Sequence, residues 1–178
     1  MKINLGSGIN KIDGFKRVDI DPITKPDYCF NVEKDKWVFD DNSVDELRAF
    51  NLLEHLRDID FFFEEAYRVL KPNGVIKIAV PHYRSEHAYS DPDHVRYFTP
   101  ETFSYWARTT IGSDGRPVVR GKMDFKITEL KAVVDERRKG TFEEEVRASG
   151  VSAGAFWLPL AWIFVTMKAI KPARELVV

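Results

Sequence analysis

Apolar positions along this chain follow two rhythms. Short apolar runs alternate with a stretch of helical spacing through the first two-thirds, as expected of an α/β domain on a mainly parallel sheet. Lys2–Leu5 and residues 16–20 predict the first two strands, and residues 27–30 a weak third. Asp41-Asn42-Ser43 is turn chemistry, after which Val44–Phe50 predicts a fourth strand. Ile59, Phe62, Phe63, Ala66, Val69 and Leu70 then fall three and four apart on one helical face. Asp58 is placed to cap that helix. Pro72 disfavours helical dihedrals at Lys71, so Pro72-Asn73-Gly74 predicts a turn leading into a fifth strand over 75–80. Thr99-Pro100-Glu101 predicts a capped short helix. A loop over 111–122 follows, with later strands at Phe125–Val134 and 162–170 and a charged helical piece over 142–148 between them.

Composition narrows the class without naming a function. The 178 residues predict a single domain, 1–178, with enough chain for a substantial core. A formal net charge of −1 advertises no surface for a polyanion, so no nucleic acid partner is expected. Cys29 stands alone, which excludes an intramolecular disulfide and suits a reducing compartment; it reads as a small core residue. Met1-Lys2-Ile3-Asn4-Leu5 runs directly into glycine, with no leader-like apolar region. The apolar stretch from Ala155 to Met167 is interrupted by Pro159 and falls short of the roughly 20 residues a spanning helix needs. It reads as core, and the expectation is a cytoplasmic protein with no membrane partner.

The chemistry begins at Leu5-Gly6-Ser7-Gly8, after the first strand, followed by Val18-Asp19-Ile20-Asp21 at the end of the second. Two glycines one residue apart let backbone N–H groups approach a ligand that a Cβ would repel. A carboxylate ending the next strand can take both hydroxyls of a ribose. A dinucleotide fingerprint needs a third glycine where Lys11 stands. Ten residues separate Gly8 from Asp19, too few for the helix that meets a pyrophosphate.

Asn51-Leu52-Leu53-Glu54-His55-Leu56 and Arg68-Val69-Leu70-Lys71-Pro72-Asn73-Gly74 come later, in order. This ordered series, spanning roughly residues 1–105, resembles the class I S-adenosylmethionine-dependent methyltransferases, particularly the short methyltransferase-domain type with a Glu-His-Leu signature. The resemblance implies a Rossmann-like fold: a mainly parallel twisted sheet of about seven strands, an antiparallel last strand and helices on both faces. It implies S-adenosylmethionine as cofactor, with Leu5, Gly6, Ser7 and Gly8 lining its methionine part and Asp19 holding the ribose. Asp21 is the second candidate for the ribose. Asn31 would stand near the adenine, and Asn51 beneath the sulfonium.

All four histidines follow the fourth or fifth strand: His55, then His82, His87 and His94. In a parallel sheet those loops leave the carboxyl edge, where ligands bind. A hydroxyl acceptor needs a base, worth about 10²–10⁴ in rate, and histidine titrates near the working pH. His94 or His82 is the candidate base, with Asp91 as its orienter or as the base itself. Residues 82–123 are the candidate lid on the substrate side. Glu54-His55 reads as helix capping and packing. The spacing of His82, His87, His94 and Asp91 matches no standard metal motif, so no metal is expected. The function expected is methyl transfer to a small-molecule or glycan-type acceptor; the alternative is a non-catalytic scaffold or sensor that keeps the cofactor cleft. An acceptor screen with released-product detection separates these two, and binding of S-adenosylmethionine against NAD separates both from a nicotinamide-dependent oxidoreductase, which the missing third glycine disfavours. The oligomeric state is left open.

Overall fold

A computed structural model describes residues 1–107, 121–134 and 160–173. Strand β1 (Lys2–Leu5) pairs in parallel with β2 (Phe15–Asp19) on one side and β4 (Val44–Phe50) on the other. Beyond β2 lies β3 (Tyr28–Cys29), the weak third strand, reduced to two residues. β4 pairs with β5 (Leu70–Pro81) in parallel. β7 (Leu160–Ala169) runs antiparallel to β5 and to the outermost strand, β6 (Phe125–Val134). The order is therefore β3-β2-β1-β4-β5-β7-β6. Chain order reverses between β1 and β4, and in such sheets the crevice beyond the carboxyl ends at that point receives ligands.

Pairing register separates the two faces. Ile3, Leu47, Ile76 and Met167 lie in one row, Leu5, Ala49, Ile78 and Val165 in the next, and all are buried. Over them packs helix α1 (Ile59–Val69), burying Ile59, Phe62, Phe63, Ala66 and Val69 as its spacing predicts. Asp58 caps it, accepting from the Phe61 N–H at 2.9 Å. The opposite face carries Lys2, Glu46, Arg48, Lys77 and Thr166 in register, with Lys2 and Lys77 paired to Glu46 at 3.4 and 2.7 Å. A parallel sheet normally buries both faces. Among the described residues α1 is the one α-helix, so a helical layer on this second face is not seen in them.

Arg68 anchors the end of α1. Its guanidinium forks onto Glu65 at 2.7 Å through two nitrogens, reaches Asp41 at 2.7 Å, and donates to the carbonyls of Trp37 and Phe39. Glu65 also accepts from the Trp37 N–H at 2.7 Å, so one buried carboxylate ties the 37–41 connection to the helix. Trp37 packs edge-on against Phe62. Phe63 stacks on Trp106 with centroids 4.2 Å apart, bringing in the 3-10 turn Pro100–Trp106 that Thr99 opens as expected. Fully burying such large side chains contributes about 1.5–3 kcal/mol each.

Two local expectations change. β5 begins at Leu70, directly after α1, because Leu70 already pairs with Val44; the next pair is Val75 with Glu46. Residues 71–74 therefore bulge out of the strand rather than precede it, with Asn73 at φ 66°. Cys29 is exposed, not core, because β3 is the sheet's edge strand. The charged piece over 142–148, and the 111–122 loop except Gly121 and Lys122, lie outside the described residues. The apolar stretch enters β7 from Leu160 onward, where burial alternates along the strand. Among the described residues no helix is long and apolar enough to cross a membrane.

Candidate active site

The chain leaves β1 through a turn in which Gly6 has φ 59° and Gly8 φ 51°, values that L side chains rarely adopt. A Cβ on Gly6 would stand 2.7 Å from Leu52 Cδ1. Asp19, at the end of β2, closes the turn: one carboxylate oxygen accepts from the Gly8 N–H at 2.6 Å and the other from the Asp21 N–H at 2.9 Å. Asp21 caps the 3-10 turn Pro22–Thr24, accepting from Ile23 N–H at 2.9 Å, and is a turn residue. Residues 9–14 contain no helix, so no helix N-terminus is on hand for a pyrophosphate.

Gly6, Asp19 and Asn31 meet on one cleft of about 320 Å³. Its other walls are apolar: Ile20, Phe30, Val32, Leu52 and Leu56, with Glu33 and His55 at the ends. Asn31 Oδ1 accepts from Glu33 N–H at 3.0 Å, which fixes the amide's direction. Leu5 and Ser7 are buried and do not line this cleft, and neither does Gly8. From them the site can draw only on backbone. An adenosine has a diol for a carboxylate, an amide-readable base edge and an apolar face. The donor set here fits that, and the cleft's lining includes no lysine or arginine for a phosphate.

A second cleft of about 520 Å³ lies beside the first, and His55 lines both. Asn51, Glu54, Pro81, His87, Ser90, Asp91, Pro92, His94 and Trp162 complete its lining. Asn51 sits at φ 53° with its N–H on the Ala79 carbonyl at 2.9 Å, turning the chain sharply as it leaves β4. The loop carrying His94 is clamped to the loop carrying Glu54: Val95 and Arg96 N–H groups both donate to the Glu54 carbonyl, at 2.9 and 3.2 Å. Arg96 Nε adds a bond to the Leu56 carbonyl at 2.7 Å. A carbonyl can only accept, so the His94 Nδ1 that lies 3.1 Å from the Ala88 oxygen carries a proton, and in the neutral ring Nε2 is the nitrogen with the lone pair. Nε2 stands 3.9 Å from Asp91 Oδ2.

Expected catalytic residues separate at this point. His94 and Asp91 come together on the second cleft. His82 does not reach it: the side chain is buried, its Nδ1 accepts from the Arg84 N–H at 3.1 Å, and its ring packs beside Tyr83. Burial, with Arg84 nearby, pulls its pKa down, so it rests neutral. Glu54 is the residue the motif reading passed over. It is 1% exposed, neither carboxylate oxygen has a hydrogen-bond partner among the described residues, and burial pushes its carboxyl up to about 7. Its one sequence signal was a glutamate set among leucines after a strand. Trp162 and Pro81 enter from distant strands, and no local signal could have placed them there.

A larger cavity, about 750 Å³, opens elsewhere, at the amino ends of β4 and β5. Lys171 fills its polar needs by binding Asn42 and the carbonyls of Arg68 and Leu70. The glycine turn and the four histidines follow strands, and Asp19 ends one, at the other edge, so size alone does not single out the candidate site.

Comparison with known proteins bears on the fold. Residues 21–78 match the family described as methyltransferase domain, while no curated protein matches the chain. A SAM-dependent methyltransferase from Archaeoglobus fulgidus superposes with a TM-score of 0.61 at 17% identity, over 94% of this chain and 85% of its own. One from Mesorhizobium loti gives 0.60 at 12% identity, over 94% and 89%. A putative methyltransferase from Haloferax volcanii, in complex with the Trm112 methyltransferase activator, gives 0.60 at 16%, over 98% and 83%. At such identities the structural likeness is one of fold, and the family match covers about a third of the chain. The chain is thus similar to a methyltransferase domain over residues 21–78, and its fold is that of S-adenosylmethionine-dependent methyltransferases.

Proposed function

We propose that the chain transfers a methyl group to a hydroxyl of a small-molecule or glycan-type acceptor, with cofactor in the first cleft and acceptor in the second. One observation carries this reading. The two clefts share the His55 wall at the sheet's switch point, and the second is lined by polar and ionisable groups rather than a greasy slot.

Asp19 would hold the ribose hydroxyls, Asn31 the adenine edge, and the backbone of residues 5–8 the amino-acid end. The cofactor supplies an activated methyl on a sulfonium that leaves readily. The protein's task is alignment, which can contribute roughly 7–11 kcal/mol when the acceptor oxygen is held in line. Asn51, on the lining of the second cleft, would border the path of transfer. The acceptor's proton passes to the His94–Asp91 pair, with His94 Nε2 directed at the cleft by its Nδ1–H bond to Ala88. His82 has no part in this step, because its acceptor nitrogen is already occupied.

The test is incubation with methyl-labelled S-adenosylmethionine against separate panels of hydroxylated small molecules, oligosaccharides, proteins and nucleic acids. Label should appear as a methyl ether in one of the first two panels and drop by about 10²-fold or more in His94→Ala. Label confined to protein or nucleic acid would contradict the acceptor class. Full turnover in both His94→Ala and Asp91→Ala would contradict the proton pair.

A further inference from the structure

We propose that Glu54, His55 and His94 are the ligands of a divalent transition-metal site, zinc by preference, on the floor of the second cleft. Their ligand atoms all lie within 4.8 Å of one another. Spacing alone hides the site: Glu54 and His55 are adjacent, but His94 arrives from another loop and is fixed by the Val95 and Arg96 bonds to the Glu54 carbonyl.

The independent observation is Glu54 itself. A carboxyl group 1% exposed, with both oxygens unpartnered among the described residues, is costly unless something compensates it. Protonation alone does not resolve this, since the new O–H would also lack an acceptor. A cation between Glu54 and the two imidazoles does resolve it. His94 is prepared for that part, because metal-bound histidines characteristically donate their other ring N–H to a carbonyl or carboxylate. Here Nδ1–H donates to the Ala88 oxygen at 3.1 Å and leaves Nε2 free to ligate.

Two imidazoles and one carboxylate suit zinc and its first-row neighbours rather than magnesium or calcium. Zinc ligands stand about 2.0–2.2 Å from the ion, so closing the present spacing needs an inward shift on the order of an ångström. Three protein ligands leave a fourth position open, and the lining of the second cleft places that position on the acceptor side.

What the ion does there rests on the acceptor reading above; that the site binds an ion does not. A hydroxyl at the open position would have its pKa lowered. Its proton goes to Asp91, the member of the pair left free once His94 ligates. The oxygen–carbon bond forms as the carbon–sulfur bond breaks, with that electron pair going to sulfur.

The experiment is calorimetric titration of Zn²⁺ alone into chelator-treated protein, paired with visible spectra on adding Co²⁺. We expect one saturable equivalent, visible Co²⁺ bands, and at least tenfold weaker Zn²⁺ binding in His55→Ala and in Glu54→Gln. Circular dichroism melts establish that both variants fold. Absence of a saturable equivalent, or wild-type affinity in a folded His55→Ala, overturns the site. S-adenosylmethionine is titrated into the same chelator-treated wild type. Its binding without any Zn²⁺ binding would end the metal proposal while leaving the methyltransferase reading intact.

Discussion

At the residue scale, Asp19 serves two partners. It braces the glycine turn through the Gly8 N–H, and it faces the cleft where a ribose would bind. Losing a charged hydrogen-bonding group of this kind costs about 1.5–3 kcal/mol. Asp19→Ala should therefore raise the dissociation constant for S-adenosylmethionine by about 10–100-fold in a calorimetric titration. An unchanged constant would remove Asp19 from the site. His82 makes a different prediction. Its folded pKa lies below the ordinary 6.5 because burial disfavours the cation. The unfolded chain thus binds the proton first, and stability is present in full above pH 6.5 and falls as pH drops below it. Urea unfolding at pH 7.5 and 5.5 should show this loss diminished in His82→Asn, whose side-chain oxygen can keep the Arg84 bond. An equal loss in both proteins would assign the pH dependence elsewhere.

At the element scale, helix α1 was the most legible part of the chain. Its apolar residues fall at a period that no strand shares, and Asp58 marks its start. Strand edges were harder to read. Pro72-Asn73-Gly74 carries turn chemistry, yet the ladder from Leu70 to Val44 closes before it, and a bulge accommodates both demands. Long-range pairing prevailed over local propensity there. Arg68 was legible only as a motif residue, since its partners Asp41, Phe39 and Trp37 come from a connection with no periodic signal. Replacing it with Ala leaves Glu65 buried and uncompensated. Because Arg68 is 20% exposed, the expected loss is about 3 kcal/mol, the low end for one member of a buried pair. Denaturant melts of Arg68→Ala check this, and a loss under a few tenths would show the network to be ornamental.

At the scale of the whole molecule, one sheet order gathers segments far apart in sequence onto a single edge. The glycine turn, Asp19, Asn31 and Asn51 were readable because each follows a strand at its carboxyl end. The meeting of His94 with Glu54 and His55 was not, because it depends on a loop folding back onto its neighbour through backbone bonds. The central claim is that the cleft at Gly6, Asp19 and Asn31 receives a nucleoside carrying a sulfonium rather than a pyrophosphate. Parallel calorimetric titrations of S-adenosylmethionine and NAD into the wild type and Asp19→Ala test it most directly. Saturable one-to-one binding of S-adenosylmethionine, weakened by Asp19→Ala, with no heat from NAD is the predicted result. Binding of NAD, or S-adenosylmethionine binding indifferent to Asp19, would contradict it.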